Sequence, residues 1–324
     1  MFENLKVIGN TPMIKIFYEY KGKKNYIYAK LEYYNLTGSI KDRVAYYIIE
    51  NAIKRGELKE NMPIVEATSG NTGISLSALG NIYNHEVYIC LPDWASKERV
   101  QLMQNYGAKV YLFSKEDGGF VRCIEETKKI AKEKNGFLAN QFANKDNLLA
   151  HYETTAPEII AQTTEELYAF VSGVGTGGTL IGTGKRLQKE FKQLKIVAIE
   201  PEQMPLISKG KMYGPHKIEG IGDDFVPDLV DKSVIDDIIE VNDNDAINMS
   251  RKLAKDLGLG VGISSGANLI GSIILNEKLN KPIVTVFADD SKKYLSTDLS
   301  KPISNESNFV SSNTKLLKFE VCNN

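Results

Sequence analysis

The sequence predicts an α/β fold with mainly parallel sheets flanked by helices. Segments of helical periodicity alternate with short strand-like runs for most of the 324 residues, the pattern of parallel strands joined by crossover helices. Glycine-rich turns stand between strand-like and helix-like segments. The length and the ordinary apolar and charged fractions allow one large core or two medium ones, with no need of disulfides or metal.

Taken in order, Val44, Tyr47, Ile48 and Ala52 recur at helical spacing after Lys41, and Gly56 is placed to end that helix. A strand is expected over 64–67, a helix over 72–82, a strand over 86–91, a helix over 97–106 closed by Gly107, and a strand over 109–113. These form one compact unit. A helix over 152–162, strands over 168–172 and 196–200 around a helix over 179–190, and a strand over 283–287 make a second. No internal repeat and no Pro/Gly linker divides the two, so the boundaries near the first turn and near His151 are soft. Leu257 to Asn276 is uncharged for about the length of a membrane span, but five glycines, three serines and two asparagines mark it as a turn followed by a buried helix. From Lys301 to Thr314 the chain is Ser- and Asn-rich and reads as a partly disordered surface extension, while Leu316 to Val321 can make a short strand or helix turn.

Forty Lys and Arg against 41 Asp and Glu leave no charge signature for nucleic acid or an anionic membrane. A small molecule is the expected partner. Cys90, Cys123 and Cys322 lie far apart without CxxC spacing, which fits a reducing compartment and argues against a zinc site, so no metal is expected. Met1 to Lys6 carries an early acid and no apolar run, unlike a secretory signal, and the cytoplasm is the expected location. His85, His151 and His216 are scattered and read as structural.

Four turns carry candidate chemistry. Asn35 to Arg43 holds Gly38 and Lys41, with Ser39 able to cap the helix that follows. An ammonium there faces the positive end of the helix dipole, and that contact, with any burial, lowers its pKa and favours the neutral amine that attacks an aldehyde. Alone, such a lysine reads as solvated. Thr68-Ser69-Gly70-Asn71-Thr72-Gly73 offers hydroxyls, an amide and backbone N–H groups to a small carboxylate, or is simply a helix cap. Gly173 to Thr179 suits phosphate, yet Gly173, Gly175 and Gly178 also match GxGxxG, and Glu200 stands about twenty residues on, where a dinucleotide-binding protein places its ribose acid. The fourth turn, Gly262 to Asn268, is weak by itself.

Together and in this order, these segments resemble the cysteine synthase and cystathionine β-synthase family, fold type II pyridoxal-phosphate enzymes. The likeness runs from Ile8-Gly9-Asn10-Thr11-Pro12 through Asn140-Gln141-Phe142, Thr154 to Ile159 and Gly220-Ile221-Gly222 to Tyr294-Leu295-Ser296-Thr297. The dinucleotide alternative has no account of the other turns. The resemblance implies pyridoxal 5′-phosphate bound as an internal aldimine on Lys41, which later moves the substrate α-proton. It further implies Asn71 at the ring oxygen, Gly175, Thr176, Gly177, Gly178 and Thr179 at the phosphate, Ser264 at the pyridine nitrogen, and Thr68, Ser69, Thr72 and Gln141 at the substrate carboxylate. A neutral hydroxyl at the pyridine nitrogen favours prompt β-elimination to an aminoacrylate. Residues 42–152 are then a smaller, mobile domain, 1–41 with 153–300 a larger one carrying the phosphate turn, and 301–324 an extension. A homodimer of the short bacterial form is implied.

Leu36, Ala156 and Trp94 depart from the family pattern as packing changes. Asp223, in Gly220-Ile221-Gly222-Asp223-Asp224-Phe225, departs in a way that bears on chemistry, because that family position is usually small or tyrosine and borders the substrate. A carboxylate repels anionic sulfide, whereas water gains about a hundredfold or more from a positioned base. The expectation is sulfide release from L-cysteine, with water (giving serine) or a second thiol as nucleophile and Asp223 as base. The alternative is an O-acetylserine sulfhydrylase, and from another class a silent relative that only binds. Asp223 facing solvent or pairing with Lys217 is the structural alternative for that residue.

Overall fold

The computed structural model describes residues 6–322; Met1 to Leu5, which bear on the expected absence of a leader, lie outside the described residues. The chain opens with an antiparallel hairpin, β1 (Met13–Tyr20) and β2 (Lys23–Leu31), then enters α1 (Lys41–Lys54). Met13, Ile14, Ile16 and Tyr18 of β1 are buried while its outer positions carry Lys15 and Glu19, the alternation expected of a strand with one covered face.

A parallel unit follows: β3 (Ile64–Ala67), α2 (Asn71–Ile82), β4 (Val87–Pro92), α3 (Lys97–Asn105), β5 (Lys109–Phe113), α4 (Gly119–Glu133) and β6 (Phe137–Leu138). Its four strands pair in the order β5-β4-β3-β6. β3 and β4 are buried at every position, as strands covered by helices on both faces must be.

The chain returns through α5 (Lys145–Ala150), a π-helical turn (His151–Thr155) and α6 (Ala156–Gln162), where the periodicity predicts one helix over 152–162. Then come β7 (Ala169–Gly173), α7 (Gly178–Glu190), β8 (Lys195–Pro201), β9 (Asp237–Val241), α8 (Asp243–Leu257), α9 (Ile263–Leu279), β10 (Ile283–Phe287), the one-turn α10 (Val310–Asn313) and β11 (Thr314–Val321). The larger sheet has seven strands in the order β11-β1-β2-β10-β7-β8-β9. The C-terminal stretch is therefore not a loose extension: β11 pairs antiparallel with β1, and the Asp245 carboxylate accepts from Val310 N (2.8 Å) and Ser311 N (2.9 Å).

Leu257 to Asn276 is a turn into α9, buried nearly throughout, and no helix among the described residues is long and apolar enough to cross a membrane. Cys90 and Cys123 are free and packed in one core cluster of the four-stranded unit. No group of three or more His, Cys, Asp or Glu among the described residues could hold a metal.

Candidate active site

Strands β3, β7 and β10 end at one cleft between the two sheets, the place where parallel sheets collect ligands. Every site residue expected from the sequence lines this single cavity except Gly178, the first residue of α7. Turns more than two hundred residues apart in sequence thus become one wall.

Lys41 begins α1 on that wall. Ser39 Oγ accepts from Lys41 N at 3.3 Å, and the Asp42 carboxylate accepts from Thr37 N (2.7 Å) and Thr37 Oγ1 (2.6 Å), fixing the turn. The Lys41 ammonium has no hydrogen-bonding or ion-pair partner among the described residues. Burial pushes its pKa down to about 8, against the opposing pull of Asp223 and Glu66. Desolvation makes the amine available as a nucleophile.

The second turn opens α2. Thr68 Oγ1 accepts from Gly70 N (3.0 Å), Thr72 Oγ1 donates to Gln141 Oε1 (2.5 Å), and Gln141 Nε2 donates to Ala67 O (3.1 Å). Ser69 is exposed at the cavity mouth. Asn71 Nδ2 donates to Asp289 Oδ2 (2.7 Å) and Asn71 Oδ1 accepts from Lys293 Nζ (3.1 Å). One amide N–H of Asn71 is left to point elsewhere.

The third turn leads into α7, whose first N–H groups have no carbonyl partner in the helix, and these together with the dipole favour an anion. A Cβ at Gly175 would stand 2.5 Å from Gly220 O, and one at Gly178 would stand 1.9 Å from Asn147 Oδ1. The turn is closely packed from behind, which leaves its front to a ligand. Thr176 Oγ1 accepts from Asn147 Nδ2 (2.9 Å), and Thr179 Oγ1 meets His151 Nε2 (3.3 Å). Ser264 is buried at the start of α9 on the cavity wall, while Asn268, about one helical turn further on, ties Gly173 N (2.7 Å) to Val286 O (2.8 Å).

A free buried amine, an anion-binding turn, a buried hydroxyl and an oriented amide form a donor set that fits pyridoxal phosphate. Glu200, by contrast, is no ribose ligand: its carboxylate accepts from Ile207 N (2.9 Å) and Ser208 N (3.2 Å) in the turn after β8.

Asp223 is half-buried on the same cavity, and Asp224 is exposed. Burial, then the neighbouring Asp224, pushes the Asp223 pKa up to about 6, with Lys41 opposing. Lys217 does not pair with it, since Lys217 Nζ lies 2.8 Å from Asp298 Oδ2.

Several residues at the site escape sequence reasoning. Arg99 of α3 is buried, pairs with Glu219 and lies over the Tyr294 ring at 4.5 Å. Glu66 is buried beneath Gln141, accepting from Gln141 N (3.1 Å) and Ala67 N (2.9 Å), and burial pushes its pKa up to about 8. A lone carboxylate inside an otherwise apolar strand, directly before the Thr68 turn, is a signal that marks Glu66 from sequence.

Known proteins agree with this geometry. The family profile described as pyridoxal-phosphate dependent enzyme matches residues 5–289. A cysteine synthase of Staphylococcus aureus is 40% identical over 297 residues, spanning 91% of this chain and 95% of that one. The crystal structure of a hydrogen sulfide-producing enzyme from Fusobacterium nucleatum is 47% identical, with a TM-score of 0.94 over 98% of this chain and 96% of that chain. A mutant of such an enzyme with asparagine in place of aspartate, complexed with an α-aminoacrylate intermediate, is 48% identical, with a TM-score of 0.94 over 96% of this chain and 95% of that chain. The chain belongs to the pyridoxal-phosphate dependent enzymes of the cysteine synthase type, with the fold type II architecture and an activity on a small amino acid.

Proposed function

We propose that the enzyme breaks the Cβ–S bond of L-cysteine, releases hydrogen sulfide and adds water at Cβ to give L-serine, with a second thiol as the other possible nucleophile. The observation that carries this is Asp223, a carboxylate without a cationic partner, on the same cavity as the free amine of Lys41. The likeness to a hydrogen sulfide-producing enzyme supports it.

In this assignment Lys41 Nζ holds the cofactor, and Gly175, Thr176, Gly177, Gly178 and Thr179 hold its phosphate. Asn71 uses its remaining N–H at the ring oxygen, and the Ser264 hydroxyl faces the ring nitrogen. When bound, the cofactor supplies an electron sink that lets the α-proton and then the β-substituent leave. Thr68, Ser69, Thr72 and Gln141 hold the substrate carboxylate, so that Cα lies by Lys41, whose amine takes the α-proton and later returns it. The C–S electron pair leaves with sulfur. Asp223 takes one proton from water as the water oxygen bonds to Cβ, and that proton goes to the departing sulfide. Cysteine plus water thus gives serine plus hydrogen sulfide, with atoms balanced.

A second reading, O-acetylserine sulfhydrylase, is favoured by the 40% identity to a cysteine synthase. We further assign the protein to the cytoplasm as a homodimer of a 42–152 unit that moves against the remainder; sedimentation velocity tests the dimer.

The test is to incubate the holoenzyme with L-cysteine and quantify sulfide, serine, lanthionine and pyruvate. Sulfide with matching serine is expected, and Asp223→Asn is expected to lower serine per sulfide about a hundredfold, the usual worth of a positioned base. Cysteine formation from O-acetylserine and sulfide, with no turnover of cysteine alone, would establish the second reading instead.

A further inference from the structure

The segment that carries Asp223 is gripped from both sides of the cleft. On the large-sheet side, Gly222 N donates to Val174 O (2.9 Å) and Gly222 O meets His216 Nε2 (2.6 Å). On the other side, Glu219 pairs with Arg99 of α3. Two residues beyond Asp223, the Phe225 ring enters a cluster of three. It stacks on Phe120 of α4 (centroids 6.3 Å apart, planes 16°) and meets Phe142 edge-on (5.1 Å, 63°), while Phe120 and Phe142 stand at 5.6 Å and 78°. Such geometries are attractive beyond simple burial.

Both partners of Phe225 belong to the four-stranded side. Phe120 packs with Val65, Ala67 and Tyr88 of its core. Phe142 directly follows Gln141, whose side chain accepts the Thr72 hydroxyl at the candidate carboxylate site. A contiguous route thus runs from the carboxylate site at Gln141 by one peptide unit to Phe142, by ring contact to Phe225, and by two residues to Asp223. Asp224, between them, is exposed and offers no competing anchor.

We propose that Phe225 is a positioning residue that couples occupancy of the carboxylate site at Gln141 to the placing of Asp223 over the substrate β-carbon. This rests on the assignment of Asp223 as the base for water. Without the ring, Cβ still loses sulfide, because that step uses Lys41. The unsaturated carbon then waits unguarded and is lost as pyruvate and ammonia, the hydrolysis products of the released enamine.

The experiment compares wild type, Asp223→Asn, Phe225→Ala and Phe225→Tyr as holoenzymes on L-cysteine, reading sulfide, serine and pyruvate together with the visible cofactor spectrum. Phe225→Ala is expected to keep sulfide release within about threefold of wild type while serine per sulfide falls about tenfold or more, a part of the factor a positioned base supplies. Phe225→Tyr, which keeps the ring, restores the ratio. If Phe225→Ala does not hold cofactor, Phe120→Leu removes the stacked partner from the opposite side and is expected to lower the same ratio. Loss of serine in Asp223→Asn with an unchanged ratio in Phe225→Ala, or in Phe120→Leu where that variant is used, overturns the coupling alone. Undiminished serine in Asp223→Asn overturns the coupling and the base assignment together.

Discussion

Helix α1 separates two charged regions that obey opposite rules. Behind it, Arg43 is buried and bonded to two carboxylates at once: Glu32 through Nε (2.7 Å) and Nη2 (2.9 Å), and Glu158 through Nη1 (2.6 Å) and Nη2 (2.7 Å). Lys30 Nζ adds a contact of 2.8 Å to Glu158, and Thr11 Oγ1 donates to Glu32 (2.7 Å). Burial works to raise both carboxyl pKa values, and the Arg43 guanidinium outweighs it, so both are held below the usual range. In front of α1, Lys41 and Asp223 share the cavity without an ion pair between them, and there burial prevails: the amine is pushed down to about 8 and the acid up to about 6. Similar burial, with and without partners, gives charges that hold the fold on one side and groups ready to exchange protons on the other.

The largest effect should come from breaking the paired side. Arg43→Met leaves Glu32 and Glu158 buried without their shared cation, a change that typically costs about 3–5 kcal/mol. Reversible denaturation at fixed cofactor concentration measures it, and a loss under about 1 kcal/mol would mean that water already screens the network. The same network explains why distant segments of the family likeness come together. Asn10 N and Thr11 N donate to Glu158 at 2.9 and 3.2 Å, and Gly9 N donates to Asn35 Oδ1 at 2.8 Å.

The unpaired side is sharpened by pH. Asp223 can accept a proton from water only when ionised, so serine per sulfide should fall as the pH drops through about 6, the value to which burial raises this carboxyl. Asp223→Asn should remain low and flat over the same interval. Product ratios measured from pH 5 to 8 check this, and a parallel pH profile in the variant would move the titration to another group.

These two regions were not equally legible. The four turns could be read because their chemistry is local: a glycine, a hydroxyl or an amide at a fixed offset before a helix. The strands over 64–67, 109–113 and 283–287 have the bounds that their composition predicts. Arg43, Glu32 and Glu158 carry no such mark. A charged residue reads as solvated until the fold supplies partners, and here one of them comes from 115 residues away. The edge pairing of β11 on β1 joins opposite ends of the chain, a register that no local pattern encodes. Phe225 has the same difficulty, because its meaning lies in Phe120 and Phe142, which belong to the other sheet's unit.

His151 sits between the two regions and gives the smallest expected effect. It is buried in the π-helical turn, with Nδ1 at 3.0 Å from Thr155 Oγ1 and Nε2 at 3.3 Å from Thr179 Oγ1. Burial first, then the charges of Lys41 and Arg43, holds its pKa well below 6.5. The neutral ring thus links the phosphate turn to the chain behind it without adding charge. His151→Asn forfeits one such hydrogen bond, worth about 1 kcal/mol, or roughly fivefold in cofactor affinity. Cofactor titration followed by absorbance measures it, and serine per sulfide should not change, because Asp223 is untouched. The sign of the linked pH effect is fixed by the lowered pKa. The unfolded chain binds a proton below about 6.5 that the folded ring refuses, so wild type loses stability as pH falls through that value, by at most about 1.4 kcal/mol per pH unit. His151→Asn removes that proton from both states. Its stability relative to wild type should therefore rise as the solution is made more acid, and a constant difference from pH 7 to 5 would show that the ring takes up its proton alike in the folded and unfolded chains.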